Sequence, residues 1–234
     1  MRRYKRIFIG ILLVIIGSFL FFKLTFYPPI LLYRLSEFNP EAFLSHIKFI
    51  RENNFRITSL EELAQAFNRK NTGKSLAIAF EGLNKDVLEL VKIAKELNLS
   101  LVLFVDKESL KNSSLNLKDI LRNCPLEIGI LCDKELGELS SFQLQKEVFL
   151  PKRFIEEFLG KKIKYIAFKL GKPNREVLRA IKNTGYLCGL NLDRLGGGSI
   201  FSLKPIRITP QDSKELLREK ISGFYYLFGR DKAR

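Results

Sequence analysis

A single histidine, His46, is the chain's whole supply of imidazole, so any site that needs two histidine ligands is excluded. Tryptophan is absent, and with it the broad ring on which sugar-binding clefts commonly stack their ligands. The 20 Phe and 7 Tyr keep stacking available to smaller rings. Three cysteines, Cys124, Cys132 and Cys188, form no Cys-x-x-Cys pair, which argues against a structural zinc site. Their odd number leaves at least one thiol unpaired within the chain, and three small buried hydrophobes is favoured over one disulfide. No Gly-x-Ser-x-Gly turn marks a serine nucleophile. Gly196-Gly-Gly198 lacks the strand–helix setting of a phosphate cradle and reads as a loop. Low-complexity tracts and internal repeats are also missing.

Acid is in short supply: 25 Asp and Glu face 40 Lys and Arg, for a formal net charge of +15. Arg2, Arg3, Lys5, Arg6 and Lys23 sit in an N-terminal stretch that holds no acid, and the remainder still carries 35 basic against 25 acidic residues. Such a domain is drawn to anionic surfaces: phospholipid, lipopolysaccharide or acidic wall polymers. Nucleic acid is set aside, because an exported domain rarely meets it.

Export is the expectation from the N-terminus. Ile7 to Phe22 runs without a charge after the basic start. As a helix this run spans about 24 Å, and about 31 Å if it continues through Tyr27, roughly a bilayer core. Lys23 can snorkel to the headgroups and Tyr27 suits the interface. The positive-inside rule then keeps the N-terminus in the cytoplasm and puts the rest of the chain outside, as a single-pass protein of the cytoplasmic membrane. A cleaved signal peptide is the alternative, but bulky Phe19 to Phe22 stand where a small-x-small cleavage site belongs. Residues 1–35 are therefore expected to be basic start, anchor and connector, and 36–234 one folded domain.

Within that domain, Asn39-Pro40 caps a helix with Phe43, Ile47 and Ile50 at helical spacing. His46 lies on or near its apolar side, as a structural or surface residue. Phe55 to Thr58 reads as a short strand, and Ser59-Leu-Glu-Glu62 as a capping box opening a helix with Leu60, Leu63, Ala64 and Phe67 on one face. Asn71-Thr-Gly73 reads as a turn. Leu76 to Phe80 and Leu101 to Val105 are near-continuous apolar runs, as in strands buried on both faces. Between them a helix is expected, capped by Asn84. Leu126 to Leu131, Ile163 to Phe168, Tyr186 to Leu190 and Lys204 to Ile208 are further strands. Helices fall at 141–159, at Asn174 to Asn183 with Gly185 ending it, and at Gln211 to Ile221. Buried strands alternating with helices give an α/β fold with a parallel sheet, open or closed.

Several of these phrases, in this order, resemble the polysaccharide deacetylase (NodB-homology) family over roughly residues 38–210. Lys74-Ser-Leu-Ala-Ile-Ala-Phe-Glu-Gly-Leu83 is similar to the strand that the family ends with Thr-Phe-Asp-Asp-Gly. Leu159 to Phe168 with Gly171-Lys-Pro-Asn174, the helix Glu176 to Tyr186, and Lys204-Pro-Ile-Arg-Ile-Thr209 resemble its later elements. The resemblance implies a distorted (β/α) barrel with its site at the carboxyl ends of the strands. It also implies zinc or a similar cation held by one Asp and two His, activating water against an acetyl group of a polysaccharide, with an Asp as base and a His assisting the leaving group.

The chain departs from that pattern at each position. Glu81 stands at the catalytic base, Gly82 at the metal-binding Asp, Leu131 and Glu135 near the two histidines, and Lys169 at the third motif's Pro; a late Leu-x-His is absent. Cys132, Asp133, Glu135 and Glu81 are the conceivable substitute ligands. The expectation is thus a membrane-anchored deacetylase-like domain without the metal or catalysis, binding or scaffolding in envelope polysaccharide metabolism. Two alternatives stand beside it: a divergent active deacetylase or hydrolase using Glu81, and a membrane-tethered protein-interaction domain.

Overall fold

The computed structural model describes residues 29–69, 74–112, 119–120, 126–171, 173–193 and 199–222. The expected anchor, the turn at 71–73, Cys124 and the glycines at 196–198 lie outside the described residues. Among the described helices none is long and apolar enough to cross a membrane.

The strands are β1 (Ile30–Arg34), β2 (Arg56–Ile57), β3 (Ser75–Glu81), β4 (Leu101–Val105), β5 (Leu126–Cys132), β6 (Tyr165–Phe168), β7 (Cys188–Asn191) and β8 (Ile206–Arg207). The helices are α1 (Pro40–Glu52), α2 (Leu60–Arg69), α3 (Val87–Glu96), α4 (Lys107–Asn112), α5 (Ser141–Leu159), α6 (Arg175–Asn183) and α7 (Lys214–Ile221). The sheet order is β7-β6-β5-β4-β3-β1-β8, with β2 beside the start of β3, and every pairing is parallel. The segment before β8 runs along the free edge of β7: Asn191 N donates to Leu203 O at 2.8 Å. Yet Ile206 already pairs with Leu31 on β1, at the opposite end of the sheet. Three residues reach about 10 Å at most, so the two edges must come close. The α/β fold is a curled parallel half-barrel.

Alternation of side chains gives this sheet two apolar faces. The convex face, with Ile78, Phe80, Leu103 and Ile166, packs under the helices. The concave face holds Leu32, Ala77, Ala79, Val102, Phe104, Leu131 and Ala167, and Leu60, Leu63 and Ala64 of α2 close it at the amino-terminal strand ends. Small side chains suit the crowded inside of a curl. At Gly129 an added Cβ would lie 2.4 Å from the Phe104 ring, which occupies that space instead.

The structure differs from the sequence expectation in four places. Ile30–Arg34 is a central strand rather than a connector, so the sheet begins before residue 36. Its apolar run follows the N-terminal apolar stretch so closely that periodicity cannot part them. Helix α4 has no counterpart in the sequence reading; it is six residues long, too short for a repeat to register. Asn84 does not cap α3: its amide donates to Leu35 O and Asp86, and the helix starts after Asp86. The Ser59 box is half formed. Ser59 Oγ accepts from Glu62 N at 3.1 Å, but the Glu62 carboxylate turns to Thr58 and Arg56.

His46 is a buried structural residue. Its Nδ1 lies 3.3 Å from Tyr33 Oη and its Nε2 3.2 Å from Asp212 O, tying α1 to β1 and to the turn before α7. Burial lowers its pKa, with Lys220 adding to that, against the opposing pull of Asp212. Above the unfolded value of about 6.5 the imidazole is neutral in both states and costs nothing. As pH falls below that value the unfolded chain takes the proton first, so stability falls until the folded pKa is also passed. The urea midpoint should therefore drop as pH falls below about 6.5, and His46→Gln should flatten that slope. An equal slope in the variant would place the titration elsewhere.

Candidate functional site

The concave face opens at the carboxyl ends of the strands. Arg34 ends β1, Glu81 ends β3, and the two are register partners; Arg207 of β8 lies on the far side of β1. Counting by twos from Leu32, Ala79 and away from Ile206 turns all three side chains inward. Arg34 Nε donates to Glu81 Oε1 at 2.6 Å, and Arg207 Nη2 donates to the same oxygen at 3.2 Å. The Glu81 side chain is 8% exposed while the Arg34 and Arg207 side chains are 40% and 43% exposed. Burial works against the Arg34 charge, but hydrogen bonds to Glu81 and Glu37 hold its pKa above the ordinary value. The other carboxylate oxygen, Glu81 Oε2, is buried with no hydrogen-bond partner among the described residues.

Phe80 sets this geometry from behind. It is fully buried, stacks on Tyr33 at 5.2 Å and meets Phe38 and Phe43 edge-on. The sequence reading omits Arg34 from the site because it omits β1. The available signal was its place as the first charge after the apolar run Ile30 to Tyr33, where a buried strand would end.

Among the described residues, no other sequence candidate is hydrogen-bonded or ion-paired to Glu81. Gly82 has φ +93°, a conformation that strains any L side chain, although nothing lies within 4 Å of where its Cβ would be. An Asp placed there would meet open space but a disfavoured backbone. Leu131 is buried in the concave apolar cluster, whereas Leu83 leans on the convex one. Glu135 reaches over Gly171, and Lys169 pairs with Asp133 at 2.6 Å. The 169–171 loop is held from β7, where Gly171 N donates to Asp193 at 3.1 Å and buried Asn191 donates to Gly171 O at 3.3 Å. Cys132 faces the convex cluster, and burial beside Glu147 pushes its thiol up to about 12. Cys188 is buried on the concave side, and burial raises its pKa as well. A recess opens beside Arg34, lined by Tyr33, Glu37, Phe38, Asn39, His46 and Pro210.

These positions can be tested against the cation that the resemblance implies. Among the described residues no three His, Cys, Asp or Glu side chains gather as a metal site. Where a carboxylate is wanted there is Gly82, where an imidazole is wanted there is buried Leu131, and Glu81 Oε1 is engaged by two arginines. The described residues do not fit a cation bound by one Asp and two His.

No known family profile matches the chain. A curated Bacillus subtilis protein, "Putative polysaccharide deacetylase YxkH", is 22% identical over 182 residues, 73% of this chain and 65% of its own length. The chain thus spans just under two thirds of that relative. Among solved structures, the Streptococcus pyogenes deacetylase PplD in complex with acetate superposes with a TM-score of 0.69 at 19% identity, over 82% of this chain and 97% of that one. The chain has the polysaccharide deacetylase fold. A polysaccharide deacetylase from Bacillus cereus superposes with a TM-score of 0.65 at 14% identity, over 82% of this chain and 68% of that one. Glu81 ends β3, at the carboxyl edge of the sheet.

Proposed function

We propose that this deacetylase relative, a distorted (β/α) barrel held outside the cytoplasmic membrane by its N-terminal segment, binds or scaffolds envelope polysaccharide instead of deacetylating it. The observation that carries this reading is the state of Glu81. A carboxylate bridging two arginines through one oxygen acts as a strut between β1, β3 and β8. Beside it, Gly82 and Leu131 offer no donor. The mouth that remains is polar at its rim through Arg34, Arg207, Lys169 and Asp133, which suits hydroxyl and anionic groups of a glycan.

One observation favours the rival reading, a divergent hydrolase working through Glu81. Its Oε2 is buried without a partner, as an acceptor reserved for a substrate proton would be. Two measurements separate the readings. Purified chain should carry well under one equivalent of zinc, cobalt, nickel or manganese after dialysis, and should release no acetate from acetylated chitooligosaccharides above a blank. Acetate release abolished by Glu81→Gln would establish the hydrolase. Stoichiometric metal lost in Glu135→Ala or Cys132→Ala would overturn the reading of a site without metal.

A further inference from the structure

We propose that the edge of the sheet formed by the amino-terminal strand ends docks on an anionic lipid bilayer and holds the Glu81 mouth facing away from it. Parallel pairing puts every strand start on one edge, opposite the candidate site. Lys74 immediately precedes β3, Lys161, Lys162 and Lys164 lead into β6, Lys204 leads into β8, and Lys182 lies at the end of α6 shortly before β7. Backbone bonds tie these segments to the same edge: Arg56 N to Lys74 O at 2.8 Å, Leu187 N to Lys164 O at 2.8 Å, and Ala77 N to Pro29 O at 3.1 Å.

Lys74, Lys161, Lys162 and Lys182 are exposed. Acids share this edge and are engaged within it: Glu61 by Lys164, Glu62 by Arg56, Glu156 by Lys152 and Ile163 N, and Glu127 by the Tyr165 hydroxyl. Phe158 and Leu187 flank the lysines at 37% and 39% exposure, an apolar supplement suited to the headgroup boundary. The opposite rim is of mixed charge, with Asp106, Asp133 and Glu135 beside Arg34, Lys169 and Arg207.

Continuity of the chain selects lipid as the occupant. This rests on reading Ile7 to Tyr27 as the membrane segment. From Tyr27 to the first residue of β1 is three residues, a reach of about 10 Å. That is close to the Debye length of about 8 Å at physiological ionic strength, so the tether holds the β1 end of the lysine edge within the field of a charged surface. Seven residues of β3 then raise Glu81 about 20 Å above the docked edge. The domain would present its mouth to polymer outside the membrane and its base to the headgroups.

The test uses the full chain, purified in detergent and transferred to vesicles of phosphatidylcholine alone or of phosphatidylcholine with phosphatidylglycerol. A short pulse of an amine-acetylating reagent is read lysine by lysine by mass spectrometry. Lys74, Lys161, Lys162 and Lys182 should react about threefold or more slowly with phosphatidylglycerol present, while Lys134 and Lys169 react equally in both. High salt should erase the difference, and K161Q/K162Q/K182Q should restore fast labelling at Lys74. Equal labelling in the two vesicle types, or protection that includes Lys169, overturns the proposal. Co-sedimentation with phosphatidylcholine vesicles reports the membrane segment separately. A chain that stays behind in that assay yet shows the charge-dependent footprint would sink the anchor and sustain the docking edge.

Discussion

Phe80→Ala should destabilise the domain by about 3–5 kcal/mol, the usual cost of emptying a large aromatic site in a core. Phe80 is wholly buried and touches three other aromatic rings from β1, α1 and the turn between them. Deleting it loses the transfer of the ring out of water and leaves a void between the sheet and α1. The effect should reach the site, because the neighbouring residue in β3 is Glu81 and its partner Arg34 follows Tyr33. Phe80→Leu, which keeps most of the volume, should cost much less. Urea unfolding followed by circular dichroism measures both, since the chain has no tryptophan to report by fluorescence. A loss under about 1 kcal/mol for the alanine variant would mean that the aromatic cluster is not what holds β1 to β3.

Lys220→Met should be nearly as damaging, at about 3–5 kcal/mol, through a different mechanism. Lys220 and Asp212 pair at 2.5 Å with side chains only 7% and 6% exposed, and Lys220 also donates to Arg207 O at 2.8 Å. Removing the cation leaves a buried carboxylate at Asp212, to which Thr209 donates from its backbone N and its hydroxyl. The double change Lys220→Met with Asp212→Asn should recover much of the loss, because the uncompensated charge is then gone. If the double variant is no better than the single one, the penalty comes from lost packing of the lysine stem and not from a stranded carboxylate.

Much of the frame was legible in the residues. The apolar runs from Leu76 and Leu101, the cap at Asn39-Pro40 and the long helix at 141–159 all stand as expected, with a capping box of Ser140 and Gln143 that was not foreseen at its start. These are local signals, set by hydrophobic period and by the unsatisfied groups at helix ends, and they survive in any tertiary setting. Lys220 was legible only as one more cation in a polar terminal helix. Nothing in its neighbours announces that α7 turns it inward onto Asp212.

The same division runs through the site. The sequence by itself determined which atoms are available: one imidazole, no side chain at Gly82, a leucine at 131 and a glutamate at the end of the first long strand. It also determined the alternation of strands and helices, because burial on two faces leaves a continuous apolar run. Only the tertiary structure decided that Ile30–Arg34 is a strand beside β3, that Arg34 and Arg207 from opposite ends of the chain close on one oxygen of Glu81, and that Leu131 faces the inside of the curl while Cys132 faces out. Those facts depend on register and on the closing of the sheet, and a shift of one residue would turn each side chain to the other face. Residue type is a local property; which groups meet is set by the pairing of segments far apart in the chain.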